Sequence, residues 1–186
     1  MIVATPQNAR LRMEDTDVGV AGCAAQRRLL ASRIPVTQDE HVTARVQAHS
    51  LDIDPTVAPG VWERWVDVST WPEDDPDTKA ATLEAAPAVG VRGRVVPKGG
   101  PSSTIVITRC DPLRAFCLRT PLPLATMSFE HDLETLDTGM VRMTHRLVFS
   151  GPMAGVFRRL IGTRIAAGFP LVMESIVRHA GQAPPQ

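Results

Sequence analysis

The chain has 186 residues, with 20 Lys and Arg, 20 Asp and Glu, five His and three Cys. This length fits one ordinary domain with some surplus, whereas two full domains would be cramped. The formal net charge is zero, and no block of clustered Lys and Arg appears. This balance removes the electrostatic case for nucleic acid or anionic lipid, because such partners require clustered basic residues.

A membrane-spanning segment is not expected either. The longest charge-free stretch is the 11 residues from Leu147 to Phe157, and Gly151 and Pro152 interrupt it. A spanning helix needs about 20 apolar residues. The N-terminus also lacks the basic-then-apolar order of a secretory signal. We therefore expect a cytoplasmic protein with reduced thiols and no integral membrane insertion.

The first part of the chain differs in composition from the remainder. All three Trp and all five Phe lie between Trp62 and Phe169, so the first 61 residues contribute nothing to an aromatic core. We predict that residues 1–41 form a loosely ordered extension. Residues 42–180 are then the folded domain, and 181–186 are a flexible tail.

The folded domain begins with a predicted strand at 43–53 and a short helix at Pro59–Val68, with Pro59 in its first turn. Runs of apolar and β-branched residues bounded by Pro, Gly or Asp follow. They predict six more strands, at 79–84, 89–97, 103–110, 115–121, 125–136 and 140–149.

A long helix from about Pro152 to Ala180 closes the domain, and Gly181 follows it. Apolar residues recur on it mostly at spacings of three and four, which predicts one apolar stripe. The Gly168–Phe169–Pro170 sequence predicts a kink, because an internal proline removes a backbone hydrogen bond.

The last two strands alternate with period two, and Asp137, Thr138 and Gly139 fit a three-residue hairpin loop. A register centred on Thr138 places His131 opposite His145 on the apolar face of the sheet. The same register pairs Phe129 with Leu147 and Leu133 with Met143.

Several segments carry a family resemblance: VWERWVDVSTWPEDDP (61–76), VGVRGRV (89–95), TRCDPLRAFCLRT (108–120), the FEH and THR triplets, and SGPMAGVF before the last helix. In this order they resemble the SRPBCC superfamily (START/Bet v 1-like; polyketide cyclase/dehydrase and lipid-transport type) over residues 42–180. The resemblance implies an α+β helix-grip fold. In that fold a curved antiparallel sheet of about seven strands wraps a long C-terminal helix and leaves a cavity between them.

A curved sheet is not filled by a single helix, so the remaining space is the predicted ligand pocket. The alternative is that the same side chains interdigitate into a solid core. Trp71 and Phe116 are expected near the mouth of the pocket. The predicted ligand-binding residues are Trp71, Phe116, Met127, Phe129, His131, Met143, His145, Phe169 and Met173.

His131 and His145 are the catalytic candidates, because imidazole both donates and accepts a proton near neutral pH. The alternative is a pair that satisfies its own hydrogen bonds inside the fold. We expect both imidazoles to be neutral through desolvation. No metal site and no cofactor are expected, since no third ligand has a recognisable spacing, although His49 could lie on the neighbouring first strand.

Cys110 and Cys117 flank a predicted turn and could form a redox pair, although two reduced core thiols are the simpler interpretation. The acidic cluster at Glu73, Asp74, Asp75 and Asp77 is expected to be a solvated edge. On the final helix, arginines are expected to keep the outer face hydrated rather than to bind a phosphate head group.

Two functions are the main candidates, and a chaperone-like or membrane-associated assembly factor is a third. The first is a non-catalytic carrier or sensor for a small hydrophobic molecule such as a lipid, polyketide or isoprenoid-like compound. The second is a polyketide aromatase/cyclase or dehydratase that uses His131 and His145, or an arginine such as Arg119, on a poly-carbonyl chain. A homodimer is compatible with either function.

Overall fold

The computed structural model describes residues 45–182, so the predicted extension at 1–41 and residues 183–186 of the predicted tail lie outside it. Seven strands form one curved antiparallel sheet in the order β1-β7-β6-β5-β4-β3-β2. The strands are β1 (Arg45–Ile53), β2 (Thr78–Leu83), β3 (Arg92–Pro97), β4 (Ser103–Asp111), β5 (Ala115–Leu122), β6 (Ala125–Thr135) and β7 (Val141–Ser150). Every predicted strand is present, with its ends within three residues of the prediction.

The helices follow the first and the last strand of the chain. Between β1 and β2 the chain forms α1 (Ala58–Val66), a 3₁₀ turn (Val68–Thr70) and α2 (Trp71–Asp74). After β7 it forms α3 (Ala154–Phe157), a π-helical turn (Arg158–Gly162) and α4 (Thr163–Ala180). We refer to Ala154–Ala180 as the C-terminal helix.

The β6–β7 hairpin has the register that the alternation predicts. His131 pairs with His145, Phe129 with Leu147 and Leu133 with Met143. Gly139 has a φ of +83°, a left-handed conformation that glycine adopts without a steric penalty from Cβ. The loop chemistry and the period-two pattern therefore both fix this hairpin.

The C-terminal helix departs from α geometry at a position that the sequence does not predict. A π turn lies at Arg158–Gly162, before the Gly168–Pro170 segment where the sequence predicts a kink and through which α4 continues. A Cβ at Gly162 would come within 2.7 Å of the Phe149 ring. The glycine therefore allows the helix backbone to pack directly against β7 where the π turn ends.

The inner face of the sheet and the C-terminal helix share one hydrophobic core. Phe169, Met173 and Ile176 of α4 are buried against residues of β5, β6 and β7 that are themselves fully buried, among them Phe116, Met143 and Leu147. By length and composition alone the C-terminal helix is apolar enough to cross a membrane. Its inner stripe is instead the part of the core that the sheet wraps.

The far end of α4 is held by a polar contact that the sequence did not predict. Asp74, expected in a solvated edge, is buried and accepts hydrogen bonds from Arg64 Nε at 2.6 Å and His179 Nδ1 at 2.7 Å. Its burial is offset because both partners are donors. Asp74 therefore connects α1, α2 and α4. Gly60 allows α1 to approach the end of α4 closely, since a Cβ there would lie 2.8 Å from the Ala180 carbonyl oxygen.

Candidate functional site

Three histidines form a row across adjacent strands on the inner face of the sheet. His145 of β7 lies between its register partners His131 on β6 and His49 on β1. The ring centroids of His131 and His145 are 4.4 Å apart with perpendicular planes. The sequence predicted the first pair, and the β1–β7 register adds His49, whose face the alternation of β1 left ambiguous.

An indole from α1 covers the pair. The Trp65 ring centroid lies 5.2 Å from that of His131 and 5.7 Å from that of His145. Phe169 of α4 approaches His145 edge-on at 5.7 Å. We call Trp65, His131, His145 and Phe169 the histidine site. Its members come from α1, β6, β7 and α4, so the packing of both helices on the sheet sets its geometry.

The tautomer of His131 follows from its hydrogen bond. His131 Nδ1 lies 2.8 Å from the backbone carbonyl oxygen of Phe116, which only accepts, so Nδ1 carries the hydrogen. In the neutral ring Nε2 then has a free lone pair. His131 therefore offers an acceptor to any molecule that reaches it.

Both imidazoles are neutral at physiological pH. Burial lowers the pKa of His131 to about 4, although the hydrogen bond to the Phe116 carbonyl and the charge of Asp132 partly oppose this. Burial and the neighbouring His131 and His49 rings lower the pKa of His145 well below its usual value of 6.5. The expectation of two neutral rings is confirmed in direction, and its cause is desolvation.

Two polar atoms of the histidine site have no hydrogen-bond partner. They are Trp65 Nε1 and His145 Nε2, on side chains that are 2% and 3% exposed. In the described part of the chain only Gln47 Oε1 and Arg158 Nε share this condition. An unsatisfied buried polar atom costs about 1–3 kcal/mol, so such atoms are uncommon in folded proteins.

Six of the nine predicted ligand-binding residues are fully or almost fully buried in the common core: Phe116, Met127, Met143, His145, Phe169 and Met173. The prediction that Phe116 lies at the mouth of a pocket is wrong, because Phe116 is completely buried. Its ring packs edge-on against that of Trp62, with the ring centroids 6.3 Å apart. A surface groove of about 450 Å³ lies away from the predicted ligand-binding residues. It is lined by Val66, Asp67, Val68, Ser69, Ala81, Thr82, Leu83, Ala85 and Pro87.

The other three predicted residues are partly accessible. His131 and Phe129 retain some surface on β6, and Trp71 packs at the edge of the core. Trp71 Nε1 donates to the Trp65 carbonyl oxygen at 3.3 Å, so Trp71 supports the helix that carries Trp65. The sequence selected Trp71 and missed Trp65. The spacing of Trp62 and Trp65 on one helix face was the available signal.

Two further sequence ideas do not fit the observed register. Cys110 pairs with Phe116 on the inner face, while Cys117 pairs with Arg109 on the outer face, so the two free thiols point to opposite sides of the sheet. Arg119 is exposed and alternates with buried Leu118 and Thr120. It therefore points away from the histidine site and is not positioned to act on a molecule bound there.

Comparisons with known proteins identify the fold. Neither a protein-family model nor a curated protein sequence matches the chain. Solved structures do match. The Zhui aromatase/cyclase from Streptomyces sp. R1128 aligns with a TM-score of 0.57 and 20% identity, covering 75% of this chain and 94% of that one.

The protein has the Bet v 1-like helix-grip fold. Norcoclaurine synthase from Thalictrum flavum, in complex with dopamine and hydroxybenzaldehyde, aligns with a TM-score of 0.59 and 11% identity over 77% of this chain and 90% of that one. Ara h 8.0201 aligns with a TM-score of 0.58 and 13% identity over 75% and 99%. At these identities the likeness establishes the helix-grip fold and leaves the activity to the side chains.

Proposed function

We propose that this helix-grip protein is a non-catalytic carrier or sensor that binds one small, neutral, hydrophobic molecule at the histidine site. The observation that carries the proposal is the pair of buried, unpartnered atoms Trp65 Nε1 and His145 Nε2. A ligand oxygen that accepts from the indole would recover the cost of burying it without a partner. The neutral rings around it favour an uncharged ligand, because they offer no counter-charge.

Binding at this site requires the core to open. The side chains around the two histidines are packed in the absence of a ligand, so a ligand must displace Trp65 or Phe169. Three methionines of the core, Met127, Met143 and Met173, are unbranched and adapt to a new shape at low cost. Binding of a small molecule by this fold is supported by the structure of norcoclaurine synthase, which holds dopamine and hydroxybenzaldehyde.

The test compares 1-naphthol with naphthalene, which differ by one hydroxyl group. We expect 1-naphthol to bind about tenfold more tightly by isothermal titration calorimetry, because one satisfied hydrogen bond contributes about 1 kcal/mol or more in a buried site. Trp65→Phe should remove this preference and leave naphthalene binding unchanged. Trp62→Phe, one turn earlier on α1, is the matched control. Equal affinity for the two compounds in the wild-type protein would contradict the proposal.

A second candidate function is the aromatase/cyclase or dehydratase. It is favoured by the free lone pair on neutral His131 Nε2. A pKa of about 4 makes this imidazole a weak base at pH 7, whereas an efficient general base has a pKa close to the working pH. We therefore place the carrier first. Turnover of a poly-β-carbonyl substrate that disappears in the His131→Gln and His145→Gln proteins would reverse this order.

The cellular setting is part of the same proposal. We propose that the protein acts in the cytoplasm, and its free Cys110 and Cys117 thiols support this assignment. Lipid transport as the specific role, and a homodimer as the assembled form, stay predictions. Native mass spectrometry of protein purified under non-denaturing conditions tests both, because it reports the mass of a retained ligand and of the assembly.

A further inference from the structure

One end of the fold exposes large apolar side chains without a partner. Seven large hydrophobic residues are exposed in the described residues, and three of them are Leu124, Val156 and Leu160. Leu124 and Leu160 are among the most exposed, at 74% and 69%. Exposed apolar residues that occur singly need no explanation, whereas a cluster marks an interaction surface.

Two segments bring these residues together. The turn between β5 and β6 ends at Leu124, whose carbonyl oxygen accepts a hydrogen bond from Met153 N at 3.1 Å. The Met153 carbonyl oxygen accepts in turn from Val156 N at 3.1 Å, and Leu160 follows one turn later. We define the apolar tip as residues 121–124 and 151–160.

The apolar tip is also locally basic. Its two segments contain Arg158 and Arg159 and no Asp or Glu, and Arg159 is exposed while Arg158 is half-buried. The net charge of the whole chain is zero, which argues against a charged partner. A net charge does not show a local excess of arginine such as the one at the tip. Leucines surrounded by arginines match a membrane interface, where apolar side chains enter the acyl boundary and guanidinium groups bind lipid phosphates.

We propose that the apolar tip docks the protein on an anionic lipid bilayer as a peripheral membrane protein. Leu124, Val156 and Leu160 enter the interface, and the arginines contact the head groups. The charge pattern selects this partner over a second copy of the chain, because two identical tips would bring arginines of like charge together with no acidic residue to balance them. The proposal does not depend on what the histidine site binds.

The test measures co-sedimentation of the full chain with vesicles of phosphatidylcholine alone or with about 30 mol% phosphatidylglycerol. We expect binding to the anionic vesicles to exceed binding to the neutral ones by at least about tenfold, since each basic residue at an anionic surface contributes several-fold. Arg159→Gln should lower binding to anionic vesicles about fivefold. Binding that is equal for both vesicles, or absent, would overturn the proposal.

The apolar contribution has a control on the same helix. Leu160→Gln combined with Leu124→Asn should lower vesicle binding by about tenfold or more. Asn is chosen at position 124 because φ is +52° there, and Asn tolerates this conformation better than most residues. Leu171→Gln, at a leucine that is 67% exposed beyond the tip, should leave binding unchanged.

Two results would assign the surface differently. If Leu171→Gln lowers binding as much as the tip variant, the tip is not the docking site and the proposal fails. If the wild-type chain shows no vesicle binding but is a dimer by light scattering, and the tip variant is a monomer, the partner is a second copy. An unchanged urea midpoint for each variant confirms that folding is intact.

Discussion

The two faces of the β6–β7 hairpin carry ionisable groups in opposite charge states. On the inner face burial lowers the pKa of His131 and of His145, so both rings are neutral. On the outer face Arg146 forms ion pairs with Asp132 and Glu130. Successive residues of one strand therefore enter two different electrostatic environments, and the period-two alternation alone separates them.

The outer face is stabilised by pairing rather than by burial. Arg142 of β7 makes a two-pronged contact with Asp52 of β1, with N···O distances of 2.8 and 2.9 Å. The hydrogen bond to Arg142 lowers the pKa of the Asp52 carboxyl, while the inner histidines shift through desolvation. Pairing keeps outer groups charged and burial keeps inner groups neutral. The hairpin therefore presents uncharged side chains to the core and charged, paired side chains to the solvent.

The largest contrast is expected between neighbouring residues Leu147 and Arg146. Leu147 is fully buried, so Leu147→Ala should lower the free energy of unfolding by about 2–5 kcal/mol through lost burial and a cavity. Arg146→Ala removes exposed ion pairs and should cost less than about 1 kcal/mol. Urea denaturation measures both. Similar losses at the two positions would mean that the faces are not separated as described.

The second contrast is in pH dependence. Above pH 6.5 both folded and unfolded His131 are neutral and the group has no effect on stability. As the pH falls toward 4 the unfolded chain binds a proton that the folded protein does not, so stability declines. The decline reaches about 3 kcal/mol for His131 alone, at about 1.4 kcal/mol per pH unit.

His131→Asn provides the control, because its amide N–H replaces Nδ1 as a donor to the Phe116 carbonyl oxygen without titrating. The urea midpoint of this variant should vary less between pH 7 and 4.5 than that of the wild-type protein. An Asp52→Asn protein should keep the wild-type slope over this range, because it leaves the buried histidines unchanged. If His131→Asn also keeps that slope, the acid sensitivity arises elsewhere.

The hairpin and the order of elements could be predicted from the sequence because the signals are local. Alternation and the Asp137–Gly139 loop fix which residues face each other, and they predict His131 opposite His145, which the structure confirms. Pro and Gly at the segment ends set the strand bounds to within three residues. These features depend on backbone geometry that neighbouring residues determine.

The rest of the site depends on how distant elements meet, which local pattern does not encode. Choosing Trp65 over Trp71 requires knowing how α1 packs on the sheet. Placing His49 requires the β1–β7 register, in which His49 pairs with His145, 96 positions later in the chain. The burial of Asp74 does not follow from its local sequence, because its partner His179 lies 105 residues away. The packing of the core likewise depends on rotamers that residue types do not set.

The smallest effect expected tests whether the inner face is built for stability or for binding. His145 Nε2 is buried without a partner, so His145→Leu should replace an unsatisfied polar ring with an apolar side chain of similar size. We expect the free energy of unfolding to rise by about 1 kcal/mol, because the variant no longer buries a polar atom without a hydrogen-bond partner. Leu51→Val, a core-packed position on β1, should instead lower stability slightly. A stability gain combined with weaker 1-naphthol binding would show that His145 serves ligand binding at the expense of folding. A loss of more than about 2 kcal/mol in the free energy of unfolding would show instead that the imidazole is a structural part of the core.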